Sequence, residues 1–163
     1  MARSRQLKIE TMSLIAPSDQ EKLREAFAEM TSNVRLLFFT QTLGCETCPE
    51  TRQILDELPP LSDKITIEEV NFVLDKDKAT QYGIDRVPAI AVVAANGQGT
   101  GASDGIKDSR IRFLGTPAGY EFMSLVHAVL LAGGRPLSLT EKNRERVMAV
   151  ATPLTVQVFT TPT

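Results

Sequence analysis

The feature that most restricts the fold of this chain is its single pair of cysteines. They stand two residues apart in LGCETCPET, residues 43–51, and the 163-residue chain has no others. An apolar, β-compatible run from Val34 to Thr40 precedes them, and PETRQILDEL, with apolar residues at helical spacing, follows them. The pair is therefore predicted to lie where a buried strand leads into a helix.

Such a pair can be a metal clip, a structural disulfide or a reversible redox centre. A zinc site needs four donors, and beyond the two cysteines the only further cysteine or histidine is His127, on an apolar helix face. We therefore expect no metal site and assign His127 no role. A reducing compartment works against a permanent disulfide, which favours a redox centre, although a structural or idle pair stays the alternative.

A redox centre at this junction gives the two cysteines different roles. Backbone N–H groups and the macrodipole at the start of a helix stabilise a thiolate, which makes Cys45 the attacking sulfur. Cys48, one turn further in, can close a disulfide with Cys45 and is better shielded, so it is predicted to be the resolving thiol. The intervening Glu46 and Thr47 are predicted to modulate this reactivity, because the Glu46 carboxylate opposes a neighbouring thiolate and makes Cys45 less acidic.

The rest of the chain alternates between helical and extended patterns. Ser18 to Glu21 has the form of a capping box and predicts a helix from about Asp19 to Thr31. An Asn96-Gly97 pair predicts the turn of a hairpin. The order β-α-β-α-β-β-α, with further helices at both ends, predicts an α/β fold with a four-stranded mixed central sheet flanked by helices. Further strands are expected in 64–72, 86–95 and 110–115, and further helices in 75–83, 119–134 and 140–150.

The apolar positions of these elements predict the core. They are Leu37, Phe39, Ile54, Val70, Ile90, Val92, Phe113, Phe122 and Val126.

Composition excludes several classes of partner. The chain carries 18 basic and 20 acidic side chains, with a net charge of -2 and no basic block, so we expect no nucleic-acid binding. Its longest apolar stretch, near VHAVLLAGG, is too short to cross a bilayer, so we expect no membrane association. The sequence predicts a soluble, cytoplasmic protein.

Two segments resemble a known family. Arg86-Val87-Pro88-Ala89 resembles the cis-proline element of thioredoxin-like proteins, and residues 115–125, GTPAGYEFMSL, resemble the G-x-P-x-G-x-E-F segment of glutaredoxin-like protein disulfide oxidoreductases. A similar segment occurs in the N-terminal domain of the flavoprotein subunit of alkyl hydroperoxide reductase. The resemblance implies a thioredoxin-like fold in which Val87 and Pro88 face the dithiol and bind an extended substrate strand.

The resemblance also implies an activity. It suggests a thiol-disulfide oxidoreductase that acts on protein disulfides and is reset by a thioredoxin-reductase-like flavoprotein or by a small-thiol reductant. No cofactor of its own is expected, because no G-x-G-x-x-G follows a strand. The alternative is a redox-idle scaffold or docking module of a two-unit oxidoreductase.

Members of that family contain two tandem units, and the end of this chain is similar to the strand that opens the second. We therefore expect residues 1–17 to be a disordered or extended segment, 18–137 a thioredoxin-like domain, and 138–163 a linker helix plus the first strand of an absent second unit. This orphan strand, Leu154 to Thr160, is expected to fray or to pair with a sheet edge, including that of a second copy in a homo-oligomer.

Overall fold

The computed structural model describes residues 13–95 and 105–160 of the chain. Helices and strands alternate in its first part, and two consecutive strands and then two helices follow. A short 3-10 helix, Pro59–Leu61, comes after the helix that begins at the cysteines. The elements are α1 (Pro17–Ala28), β1 (Asn33–Thr40), α2 (Cys48–Asp56), β2 (Ile65–Asn71), α3 (Lys76–Gln81), β3 (Ala89–Ala95), β4 (Ile106–Leu114), α4 (Tyr120–Ala132) and α5 (Glu141–Met148).

The predicted four-stranded mixed sheet is confirmed. Its strand order is β2-β1-β3-β4, with β2 parallel to β1 and the other two neighbouring pairs antiparallel. Phe39 of β1 lies opposite Ala89 of β3, and Ala89 in turn lies opposite Leu114 of β4. The segments that follow β1, precede β3 and follow β4 therefore meet at one end of the sheet.

Both faces of the sheet are covered, as the continuous apolar run in β1 requires. Because side chains alternate along a strand, Leu36 and Phe38 point to one face, where α1, α2 and α4 pack on the sheet. Leu37 and Phe39 point to the other face, which residues of α3 and the segment after it cover. The larger of the two hydrophobic clusters lies on the face that carries α2.

Two of the predicted core residues lie at its margin. Phe113 and Phe122 are half-buried and pack against the edge of the larger cluster, so their assignment to the interior was wrong. Phe113 lies near the end of β4 and Phe122 in the first turn of α4. The other predicted core residues are buried.

The first helix begins earlier than predicted, and the expected capping box does not form. α1 begins at Pro17 with Ala16 as its N-cap, and no side chain caps it. Proline suits the first helical position because its φ is already helical and it has no N–H to leave unpaired. With Pro17 there, Ser18 lies inside the first turn, and the Ala16 carbonyl accepts the N–H groups of Asp19 and Gln20 instead.

The two ends of the described chain differ in their contacts. Ile15 packs against the larger cluster, and the Leu14 N–H donates to the Glu57 carboxylate at 3.0 Å. The segment Leu154 to Thr160, expected to fray or to pair with a sheet edge, is exposed and forms no strand within the described chain. Its pattern supplies β-propensity, but a strand also needs a paired neighbour. The expected Asn96-Gly97 turn and residues 1–12 lie outside the described residues.

None of the described helices is long and apolar enough to cross a membrane.

The end of α4 is joined closely to the start of β1. The Gly133 carbonyl accepts hydrogen bonds from the Thr31 and Ser32 N–H groups at 2.8 and 3.0 Å. At Gly134, where φ is +100°, an added Cβ would lie 2.2 Å from Thr31 Oγ1. This junction holds the end of α4 against the start of β1.

We predict that Gly134→Ala is clearly more destabilising than Gly83→Ala. Gly83 also has positive φ, +66°, but an added Cβ there meets nothing within 4 Å. Gly83→Ala is expected to lower the free energy of unfolding by about 1–2 kcal/mol through backbone strain alone. Gly134→Ala adds the clash with Thr31, so its loss should reach about 2–5 kcal/mol. Urea unfolding of both variants measures the difference, and equal losses would contradict the close packing.

Candidate functional site

Cys45 and Cys48 lie where β1 leads into α2, as predicted. α2 begins at Cys48 with Thr47 as its N-cap, and Cys45 precedes the turn between them. A disulfide joins the two sulfurs across Cα atoms 5.5 Å apart, a normal span for this bond. Cys45 is half-buried, whereas Cys48 is only 5% exposed. The site is thus a disulfide whose first cysteine is the more accessible one.

The two residues between the cysteines are both exposed. Thr47 does not cap α2 with its side chain. Its carbonyl is the group that is used, and it accepts the Thr51 N–H at 3.0 Å. Glu46 forms no salt bridge within the described residues, so its charge is not offset beside Cys45.

Thr51 is a buried polar residue in α2, three positions after Cys48. Its side chain is 0% exposed and lies on the inner face of α2. The hydroxyl donates to the Thr47 carbonyl at 2.9 Å and lies 2.8 Å from the hydroxyl of Thr116. A buried hydroxyl must be paired to avoid a large desolvation cost, and Thr51 meets this requirement with two partners.

The segment after β4 joins the loop that contains Pro88 to the start of α2. The Gly115 N–H donates to the Pro88 carbonyl at 2.9 Å, and the Thr116 hydroxyl reaches Thr51 and, at 3.5 Å, the Thr47 carbonyl. Two adjacent residues therefore connect the proline loop to the first turn of α2.

Thr51 and Thr116 were not among the predicted site residues. One signal was present in the sequence: Thr51 is a polar residue on a helix face whose other members, Ile54 and Leu55, are apolar and buried. A polar side chain at such a position needs a partner, and the hydroxyl of Thr116 is one that lies 65 positions away in sequence.

The predicted cis-proline element is confirmed, because the Val87-Pro88 peptide bond is cis. Pro88 is buried, and Val87 is half-buried and packs against both hydrophobic clusters. Arg86 donates two hydrogen bonds to Asp85 at 2.8 and 2.9 Å. These bonds hold the pKa of Asp85 below its usual value. The charges of Asp85 and Arg86 thus offset each other beside the proline.

A cavity of about 270 Å³ opens beside the disulfide, on the side of β2. Arg52 lies in its wall, donates to both carboxylate oxygens of Asp56 at 2.8 and 3.0 Å, and also binds Glu69. Two carboxylates therefore offset the only cation that lines this cavity, so Arg52 adds little positive potential at the sulfurs.

Among residues 13–95 and 105–160, no three His, Cys, Asp or Glu side chains are grouped so that they could hold a metal ion.

Comparison with curated proteins finds thioredoxins. The chain is 30% identical over 84 residues to a probable thioredoxin of Methanothermobacter thermautotrophicus, which covers 51% of this chain and 81% of that protein. A probable thioredoxin of Methanothermobacter marburgensis is 30% identical over 94 residues, 57% of this chain and 92% of the relative. No family model matches the chain.

Comparison with solved structures finds larger proteins of the same fold. The NTD_N/C domain of the alkyl hydroperoxide reductase AhpF from Enterococcus faecalis superposes with a TM-score of 0.71 at 29% identity, over 83% of this chain and 60% of that one. A protein disulfide oxidoreductase from Aeropyrum pernix gives a TM-score of 0.63 at 23% identity, over 83% and 55%. The second likeness shows the fold alone, and this chain spans little more than half of each structure.

We predict that Glu46→Gln makes the reduced protein more reactive. Removing the exposed carboxylate beside Cys45 removes a like charge that opposes the thiolate. The rate of Cys45 alkylation at pH 7 should rise by about two- to fivefold, since two exposed charges interact by about 1 kcal/mol or less in water. The gain should shrink in 1 M salt, which screens such charges.

The matched control is Glu145→Gln, which removes an equally exposed carboxylate from α5, outside the site. An equal rate increase in both variants, or none in Glu46→Gln, would contradict a modulating role for Glu46.

Proposed function

This chain belongs to the thioredoxin superfamily of thiol-disulfide oxidoreductases, and we propose that its Cys45-Cys48 pair exchanges disulfides with protein substrates. The observation that carries the proposal is the unequal burial of the two cysteines. Cys45 is half-exposed at the end of the sheet, whereas Cys48 is almost fully covered. A substrate disulfide can therefore approach Cys45 first.

The exchange proceeds in two steps. In the reduced protein the Cys45 thiolate attacks one sulfur of the substrate disulfide, the substrate S–S bond breaks, and one substrate thiolate leaves and takes up a proton. The Cys48 thiolate then attacks the Cys45 sulfur of the mixed disulfide, which forms the Cys45-Cys48 bond and releases the second substrate thiolate. Two electrons have passed from the protein to the substrate, and the disulfide form that the structure contains is the product.

The backbone of Val87 is the proposed binding site for an extended substrate segment. Its backbone N–H and C=O form no hydrogen bond with any group in the described part of the chain. One donor and one acceptor at the end of the sheet where the cysteine turn also emerges match what an extended peptide offers along its edge. The Pro88 carbonyl is already bound to Gly115, so the proposed substrate contact is through Val87, with Pro88 shaping the surface.

A second partner must restore the dithiol. Relatives in thioredoxin and alkyl hydroperoxide reductase systems support a reductase that supplies two electrons. We propose a thioredoxin-reductase-like flavoprotein or a small thiol as that reductant. The corresponding compartment is the cytoplasm, where thiol reductants keep such pairs reduced.

The order of attack predicts different phenotypes for the two cysteine variants. Both Cys45→Ser and Cys48→Ser should lose more than about 90% of insulin reduction driven by dithiothreitol, because a cycle needs both sulfurs. Only Cys48→Ser should accumulate a mixed disulfide with insulin, which intact-mass analysis detects. Trapping by Cys45→Ser instead would reverse the roles, and full reductase activity in Cys45→Ser would refute the mechanism.

The segment after α5 also supports an association between copies of this chain. Val156 and Val158 are 83% and 82% exposed, alternate with polar residues, and lie in a segment that forms no strand in the described chain. The sheet has two edges, β2 and β4, that can accept a further strand. We propose that two copies of the chain associate through this segment.

Sedimentation at increasing concentration tests this association. The full chain should show a concentration-dependent dimer, and Val158→Lys should shift it to monomer by placing a charge in the paired segment. Gln157→Lys adds the same charge on the opposite face and should change the equilibrium less. A chain that is monomeric at every concentration, or equal effects of the two variants, would contradict association through the face that carries Val156 and Val158.

A further inference from the structure

The buried hydroxyl of Thr51 can donate only one hydrogen bond. Its oxygen lies 2.9 Å from the Thr47 carbonyl, which can only accept, so the Thr51 hydrogen is directed there. Thr51 and Thr116 are 2.8 Å apart, and Thr116 is then the donor in that pair. The alternative, donation by Thr116 to the Thr47 carbonyl, spans 3.5 Å and is the poorer bond. The hydrogen bonds therefore run in one direction, from Thr116 to Thr51 to Thr47.

This chain of bonds ends on the peptide group between Thr47 and Cys48. The carbonyl of that peptide is the acceptor, and its N–H belongs to Cys48, the first residue of α2. Such an N–H has no partner within its own helix, and no backbone acceptor for it occurs in the described part of the chain. Consecutive hydrogen bonds polarise one another. Donation by the Thr51 hydroxyl to the Thr47 carbonyl therefore makes the N–H of the same peptide group, that of Cys48, a better donor.

The same two loop residues also fix the position of the proline loop. Gly115 is bound to Pro88, and its neighbour Thr116 is bound to Thr51. The position of the Cys48 N–H is thus set relative to the surface beside Val87. In the disulfide the Cys45 sulfur is bonded to the side chain of Cys48, the residue that carries this N–H. A thiolate formed at Cys45 therefore lies near this N–H and gains from any increase in its donor strength.

We propose that Thr51 and Thr116 are positioning residues for the exchange reaction: their hydroxyl relay holds and polarises the Thr47-Cys48 peptide so that it stabilises the Cys45 thiolate. This inference rests on the proposed function, since it concerns the reactivity of the same dithiol. It assigns to the loop after β4 a role in reactivity besides its place in the fold.

The test compares hydroxyl-deleting variants of the full reduced chain. Thr116→Val and Thr51→Val keep the branched shape and remove the donor, while the Thr51 N–H still binds the Thr47 carbonyl and keeps the helix start intact. Both should slow Cys45 alkylation by iodoacetamide at pH 7 by about two- to tenfold, the range that one net hydrogen bond represents. The midpoint of the pH profile should move up, with an unchanged rate at the alkaline plateau.

Two further variants separate this role from a general structural one. Thr116→Ser retains the hydroxyl and should restore the wild-type pH profile. Thr66→Val, on the exposed face of β2, makes the same chemical change outside the site and should leave the profile unchanged. If Thr51→Val does not fold, Thr116→Val decides alone, because Thr116 is only half-buried.

The outcomes distinguish this inference from the function on which it rests. A wild-type profile in Thr116→Val, or the same shift in Thr66→Val, would overturn the relay while insulin reduction by the wild-type chain continued. Absence of insulin reduction by the wild-type chain would overturn the proposed function. A shifted midpoint in Thr116→Val, restored in Thr116→Ser, supports the relay.

Discussion

The structure depends on the burial of β1 on both faces and along both edges. Its side chains alternate between the two hydrophobic clusters, and its backbone pairs with β2 on one side and β3 on the other. A shift of β1 by one residue would move each of its side chains from one hydrophobic cluster to the other and disturb the packing of both. The point at which the chain leaves β1 is therefore fixed, and with it the position of Cys45.

The site follows from the register of this strand with its neighbours. Phe39, Ala89 and Leu114 lie side by side, so the cysteine turn, Pro88 and Gly115 emerge at the same end of the sheet. Hydrogen bonds then join these three segments, from Gly115 to Pro88 and from Thr116 to Thr51. The disulfide is consequently supported from the buried side, while Cys45 stays partly open to a substrate.

The sequence predicted the elements that depend on local pattern and missed those that depend on contacts between distant residues. The strand-to-helix junction at the cysteines, the cis-proline element and the mixed sheet could be predicted, because spacing and resemblance carry that information. The contact between Thr51 and Thr116 could not, since it joins residues 65 positions apart. Ser18 to Glu21 matched a capping-box pattern, but α1 begins at Pro17, so Ser18 lies inside the first turn and is not the N-cap. The alternating pattern near Val156 predicted a strand without supplying a partner for it.

The equilibrium potential of the Cys45-Cys48 pair decides whether it is a reversible redox centre. Alkylation and intact-mass analysis across a series of thiol/disulfide buffers measures the oxidised fraction of the full chain. A reversible centre should have a potential between about -270 and -120 mV, the range of thioredoxin-like catalysts. A potential below about -300 mV would instead make the pair a structural disulfide and the chain a scaffold.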